Sequence, residues 1–171
     1  MWTKTGSRTS ENSQQDAWAH TVEIAIASSN DIPELCDLLN SLFSQEAEFV
    51  PDRQAQTRGL ARVISSSEVG DILVARDDGE IVGMVNLLYT VSTALGAPVA
   101  LLEDMVVASN RRGQGIGTTL IRGAVKFAKE KGCMRITLLT DDDNEGAHRF
   151  YERHGFSQTS MIAFRIPLGD E

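Results

Sequence analysis

The 171-residue chain is poor in cysteine, in long apolar runs and in positive charge. Its two cysteines, Cys36 and Cys133, form no C-x-x-C pair and no cluster with histidine, which excludes a zinc framework and disfavours a disulfide scaffold. No apolar run approaches the roughly 18 residues that span a bilayer, and the first residues lack the apolar core of a secretory signal. The 16 Lys and Arg against 24 Asp and Glu give a net charge of −8, which disfavours a nucleic-acid partner. We therefore expect a cytoplasmic protein with no metal, no membrane contact and no nucleic-acid ligand.

The length suits one domain, and the patterning predicts a mixed α/β fold. Residues 1–20 are polar and without periodicity, and they are predicted to form a flexible tail before a domain spanning 21–171. Apolar residues at helical spacing alternate along the chain with strand-like runs, in the order β-α-α-β-β-β-α-β-α-β. Asp77-Asp78-Gly79 predicts a hairpin turn. The predicted strands are Thr21–Ala27, Asp71–Arg76, Glu80–Tyr89, Val99–Val107, Met134–Leu139 and one or two closing strands in Phe156–Leu168.

A glycine-rich turn between a buried strand and a helix is the most informative segment. Gly113, Gly115 and Gly117 alternate there, and glycine lets the backbone approach a ligand closely. The N–H groups of the first helical turn, together with the helix dipole, form an anion site. Arg111 and Arg112 add positive charge next to it. The segment therefore predicts a ligand that carries phosphate.

Other phosphate-binding loops fit this turn less well. A Walker loop requires a lysine after its last glycine, and none follows here. A dinucleotide fingerprint has the spacing G-x-G-x-x-G early in a βαβ unit, whereas this turn reads G-x-G-x-G and follows a predicted hairpin. An ordinary strand–turn–helix corner explains one glycine, but not three glycines with two arginines. The spacing thus also disfavours an unrelated nucleotide binder.

Two segments together resemble one known family. Arg112-Gly113-Gln114-Gly115-Ile116-Gly117 resembles the [Q/R]-x-x-G-x-[G/A] acetyl-CoA signature of the GNAT superfamily of N-acetyltransferases. The segment from Asn144 to Phe156 is similar to the family's N-x-x-A-x-x-[FL]-Y-x-x-x-G-F pattern. The resemblance runs from about Thr21 to Leu168. It implies a single-domain α/β fold with about four helices and a twisted, mostly antiparallel mixed sheet whose fourth and fifth strands splay apart.

The resemblance also implies the co-substrate and its contacts. Acetyl-CoA would lie between the splayed strands, with its pantetheine on main-chain groups of the fourth strand and its pyrophosphate on the N–H groups of the glycine turn. Asn144 would contact the cofactor arm, although a helix N-cap is an equally good role for asparagine. The residues assigned to the cofactor are Met105, Val107, Arg112, Gly113, Gln114, Gly115, Gly117, Thr118 and Asn144.

Three residues are candidates for the chemistry. Tyr151 falls on the family position of the acid that protonates the departing CoA thiolate, and its alternative role is a core aromatic. Glu103 and Asp104 interrupt an apolar strand, where an ionised acid is costly without a partner or a task. The triplet Leu102-Glu103-Asp104 is similar to that of the diamine and thialysine branch, in which this glutamate position is the usual base candidate. Adjacent strand residues face opposite sides, but a bulge is expected here, so alternation alone does not decide between the two acids.

The resulting hypothesis is an acetyl-CoA-dependent N-acetyltransferase. The acceptor would be the primary amine of a small molecule or a peptide, attacking the thioester directly with a carboxylate as base and a tyrosine as acid. A homodimer is compatible with this hypothesis. The alternative from another class is a non-catalytic acyl-CoA-binding regulatory module, which the presence of both Glu103 and Tyr151 disfavours.

Overall fold

Five strands form one sheet in chain order. A computed structural model describes residues 22–44 and 50–168 of the chain, so the predicted tail at 1–20 lies outside the described residues. The strands are β1 (Glu23–Ile26), β2 (Gly70–Asp77), β3 (Glu80–Ser92), β4 (Ala97–Val107) and β5 (Ile136–Leu138). Neighbouring strands are antiparallel except β4 and β5, which run parallel. The mixed, mostly antiparallel sheet is the predicted one.

Within the described residues, four α-helices cover the two faces of the sheet: α1 (Ile32–Phe43), α2 (Arg53–Ile64), α3 (Ile116–Glu130) and α4 (Glu145–Arg153). The apolar stripes of α1 and α2 pack against one face of the sheet. Those of α3 and α4 pack against the other face. Since strand side chains alternate between faces, each central strand contributes to both cores. In the described part of the chain, no helix has the length and apolar character needed to cross a membrane.

Glycine fixes two features of this sheet. Asp78 and Gly79 both have positive φ angles, of 50° and 86°, which form the predicted two-residue hairpin turn between β2 and β3. Gly83 allows α3 to approach the sheet, because a β-carbon there would lie 2.9 Å from both the Leu120 side chain and the Val106 carbonyl oxygen. Close packing of α3 on β3 and β4 brings its N-terminus to the end of β4.

The prediction of closing strands in Phe156–Leu168 is wrong for the described structure. Phe156 packs against the core beside α3 and α4, but the chain after it forms no strand and joins no sheet. Apolar residues stand at every second position of this segment, as in a strand, yet they are 76–90% exposed: Ile162, Phe164, Ile166 and Leu168. The alternation indicates a face that requires cover, and no described strand supplies that cover.

Candidate active site

A cleft opens where β4 and β5 separate. The two strands pair only over residues 100–102 of β4 and 136–138 of β5, and β4 continues to Val107 paired with β3 but not with β5. The splayed fourth and fifth strands are therefore as predicted. The N-terminus of α3 and one side of α4 border the gap, and a cavity of about 370 Å³ lies there. Its walls are formed by Leu42, Met105, Val106, Val107, Arg112, Gly117, Ala147, Phe150 and Tyr151.

The cavity brings together five of the predicted site residues, namely Met105, Val107, Arg112, Gly117 and Tyr151. The other predicted residues do not line the cavity: Glu103, Asp104, Gly113, Gln114, Gly115, Thr118 and Asn144. Sequence reasoning missed Leu42, because the last turn of α1 shows only an ordinary apolar stripe. Ala147 and Phe150 belong to the recognised α4 pattern but were not assigned to the site.

The three glycines of the turn occupy structurally different positions. Gly113 and Gly115 have φ angles of 77° and 81°, a region that L side chains rarely adopt. Gly115 is the N-cap of α3, so the first N–H groups of the helix point outward without intrahelical partners. Gly117 lies inside the helix, and a β-carbon there would approach Phe150 to 3.5 Å on the cavity side. The turn therefore offers N–H groups and space in the same place.

The two arginines of the turn have separate roles. Arg111 forms an ion pair with the buried carboxylate of Asp77, at the end of β2. The prediction that both arginines supply charge to a phosphate is therefore wrong for Arg111, because its charge is already paired. Arg112 lines the cavity, and its Nε donates a hydrogen bond of 3.3 Å to the carbonyl oxygen of Val107.

Tyr151 faces the cavity from α4. Its ring makes edge contacts with Phe150 and Phe156, at centroid distances of 5.3 and 5.6 Å. Burial raises the pKa of the phenol above its usual value, so the hydroxyl stays protonated at neutral pH. The ring packs in the core and the side chain also lines the cavity, while the role as an acid stays a prediction.

Glu103 and Asp104 occupy a bulge in β4, opposite Asn86 of β3. Leu102 and Met105 both pack on the α3 side of the sheet although they are three positions apart. The two acids between them therefore both lie on the α1 side, whereas simple alternation would have separated them. Burial raises the pKa of Asp104, and the neighbouring Glu103 charge adds to this effect. A 3.4 Å hydrogen bond from Nδ2 of Asn86 opposes it.

Three other polar side chains at α4 have backbone partners. Asn144 is the N-cap, and its Oδ1 accepts a hydrogen bond of 3.0 Å from the Ala147 N–H. A ring nitrogen of His148 contacts the Asp141 carbonyl oxygen, and one of His154 contacts that of Phe150. In the described ranges, no group of three or more His, Cys, Asp or Glu side chains could hold a metal ion.

Comparisons with known proteins agree with this architecture. Residues 32–156 match the Acetyltransferase (GNAT) family. An uncharacterised N-acetyltransferase of Bacillus subtilis strain 168, YhfO, is 30% identical over 68% of this chain and 80% of its own length. The aminoalkylphosphonate N-acetyltransferase of Salmonella typhimurium is 29% identical over 80% of this chain and 86% of its own. A solved structure described as a transcriptional regulator from Bacillus halodurans C-125 is 28% identical, covers 86% of this chain and all of its own, and superposes with a TM-score of 0.73.

The family match covers most of the chain and includes the glycine turn, the cleft strands and α4. The relatives include N-acetyltransferases that align over most of their own length. The chain therefore belongs to the GNAT family and is an N-acetyltransferase.

Proposed function

We propose that this enzyme transfers the acetyl group of acetyl-CoA to a primary amine by direct attack of the amine nitrogen on the thioester carbonyl. The main support is the cleft between β4 and β5, where one cavity adjoins the free side of β4, the N-terminus of α3 and Tyr151. A phosphate-bearing thioester requires all three features: an edge for its amide arm, N–H groups for its phosphates and a donor near its sulfur.

The free side of β4 suits the pantetheine arm of the co-substrate. Main-chain groups of Met105 and Val107 would bond it as an added strand, because no strand of the described residues covers that side beyond Leu102. The pyrophosphate would sit on the N–H groups from Arg112 to Thr118. These include those of Gly113, Gln114, Gly115 and Gly117.

The chemistry needs a base and an acid on opposite sides of the thioester. Glu103 would take the proton of the ammonium, directly or through a water molecule, and Asp104 would attract the cation. The new N–C bond forms as the C–S bond breaks, and the Tyr151 hydroxyl donates its proton to the sulfur. The Asn144 amide would contact the cofactor arm beside its capping bond. These roles are proposals for the chain, made on the family resemblance and on the positions above.

A CoA-release assay tests the proposal. The panel includes polyamines, amino acids, aminoglycosides and peptides with free N-termini, because the acceptor class is open. Aminoalkylphosphonates join the panel because one relative is named for them. We expect CoA release to require both acetyl-CoA and one class of primary amine. Binding of acetyl-CoA with no release in the presence of any amine would contradict the proposal.

A non-catalytic regulatory module is the second candidate, since one similar structure is described as a transcriptional regulator. Such a module would bind acyl-CoA by the same cleft and leave the thioester intact. Calorimetric binding combined with the release assay separates the two functions.

The cytoplasmic location stays a prediction from the sequence.

We also propose a homodimer, because the exposed apolar residues after α4 need cover. Phe164 is 90% exposed on a segment that forms neither helix nor strand, and β5 is the last strand among the described residues. Sedimentation velocity of the full chain should show a dimer that Phe164→Asp converts to a monomer. Ser157→Asp, a polar position of the same segment, serves as the control. A wild-type chain that sediments as a monomer would disprove this assembly.

A further inference from the structure

Asn86 is a buried polar residue in the middle of the sheet with half of its amide unused. Its side chain is 7% exposed, on the strand opposite the bulge. Nδ2 donates to Asp104, but Oδ1 accepts no hydrogen bond from the described residues. Buried carbonyl oxygens in folded proteins nearly always have a donor, so an unused one requires an explanation.

Asn86 lies opposite two carboxylates of the neighbouring strand. Glu103 and Asp104 share its side of the sheet, and ionised carboxylates only accept hydrogen bonds. Neither acid forms an ion pair within the described part of the chain, where the ion pairs join other residues. A ligand that satisfies the cluster must therefore bring N–H donors, and positive charge would favour it.

The cluster lies beside the cavity on the side away from α3. Val106 lines the cavity and belongs to the α1 core, as does the partly buried Leu42. Asp104 is two positions before Val106, so both side chains lie on the same face of β4. Met105 lines the same cavity from the α3 side. A molecule in the cavity can thus approach the cluster from the end of α1.

We propose that Asn86 is a positioning residue for the amine acceptor, with its Oδ1 and the Asp104 carboxylate together accepting N–H bonds from a primary ammonium group. This inference rests on the proposed function and adds Asn86 to Asp104 as a side chain that would bind the amine. A primary ammonium has three N–H donors, so two can bind the cluster while the third faces Glu103. N-methylation removes one donor and adds bulk, so the cluster selects primary over secondary amines.

The first test observes binding directly. The side-chain amide signals of Asn86 are assigned by triple-resonance spectra of the isotope-labelled, CoA-bound wild-type protein. Propylammonium chloride should shift these signals saturably, and tetramethylammonium chloride should not. No shift with propylammonium, or an equal shift with both salts, would overturn the proposal even if no variant folds.

The second test uses variants and the amine found by the release assay. Asn86→Leu should raise the amine KM at least tenfold and leave the acetyl-CoA KM within about twofold. Asn86→Asp should restore much of the amine affinity, because it supplies an acceptor at the same place. The matched control is Gln56→Leu, which removes another buried amide whose oxygen is unused and whose Nε2 donates a hydrogen bond to Oδ1 of Asn40. It should lower stability and leave the amine KM unchanged.

The outcomes separate this inference from the proposed function. CoA release with an amine KM that Asn86→Leu does not change would overturn the inference and leave the acetyltransferase proposal standing. A saturable propylammonium shift without CoA release from any amine would support the ammonium site and contradict the acetyltransferase proposal.

Discussion

At the scale of single residues, the two tyrosines of the chain have contrasting surroundings. The Tyr89 hydroxyl donates a hydrogen bond of 2.9 Å to Asp71, and Tyr89 does not line the cavity. The Tyr151 hydroxyl belongs to a side chain that lines the cavity. The same loss of a hydroxyl should therefore have different consequences at the two positions.

Tyr151→Phe should lower kcat by about 10²–10⁴ with little change in the acetyl-CoA KM, which is the usual effect of removing a general acid. The ring contacts with Phe150 and Phe156 remain, so thermal stability should hold. Tyr89→Phe is the matched control, and it should lose stability but keep kcat. Steady-state kinetics and melting curves check both variants, and a Tyr151→Phe enzyme with wild-type kcat would make that residue a core aromatic only.

The two acids of the bulge should differ in which kinetic constant they affect. Glu103→Gln cannot accept a proton, so kcat/KM should fall most at low pH and recover partly at high pH, where free amine is abundant. Asp104→Asn should chiefly raise the amine KM, because a fixed charge binds ground and transition states alike. pH profiles of both variants measure this difference. The opposite result would exchange the two roles.

The ionised Asp104 carboxylate should also lower the free energy of unfolding at neutral pH. Its pKa is raised by burial, so the folded state holds the proton more tightly than the unfolded chain does. Stability from this group is then greatest below the unfolded pKa and is lost as pH rises through the folded pKa. Asp104→Asn should melt at a higher temperature than wild type at pH 7, with the difference shrinking toward pH 4. A difference independent of pH would contradict this linkage.

At the scale of elements, both ends of α3 carry a glycine with positive φ. Gly115, the N-cap, has a φ of 81°, and Gly132, just beyond the C-terminus, has a φ of 79°. A branched residue is strained equally at both positions. Only the first position lies in the glycine turn, between the cavity-lining residues Arg112 and Gly117, so the pair separates backbone strain from ligand binding.

Gly115→Val should reduce acetyl-CoA affinity at least tenfold, because its side chain and altered backbone would obstruct the N–H groups of the turn. Gly132→Val should lose a similar amount of stability and keep the affinity. Calorimetry on the folded proteins measures both. Equal affinities for the two variants would remove the glycine turn from the cofactor site.

Short-range sequence patterns predicted most of these elements, but they could not predict contacts between residues far apart in the chain. Helices α1 and α3 follow from apolar spacing, and the hairpin turn follows from Asp78 and Gly79, because these signals are local. The partner of Arg111 was not predictable, since Asp77 comes from a distant strand. The side of the sheet on which Glu103 lies depends on where the bulge adds a residue to β4, which alternation does not encode.

At the scale of the whole molecule, the family resemblance supplied what periodicity lacked. It predicted that the fourth and fifth strands separate, and the pairing ends at Leu102 as expected. It did not predict that Asn86 lies beside Glu103 and Asp104, because Asn86 is a single polar residue in an apolar strand. The alternation after Phe156 correctly marks an apolar face but incorrectly predicted pairing within the described structure, because alternation carries no information about the partner strand.

The separation of β4 from β5 has a consequence for the exchange of amide hydrogens with solvent. Antiparallel pairing with β3 engages alternate N–H groups of β4, and beyond Leu102 the others face the open cleft. Deuterium uptake over residues 103–107 should therefore show slow and fast amides side by side in a central strand. Acetyl-CoA should protect the fast ones, leaving β2 unchanged, so the bound arm would complete the sheet as a temporary strand.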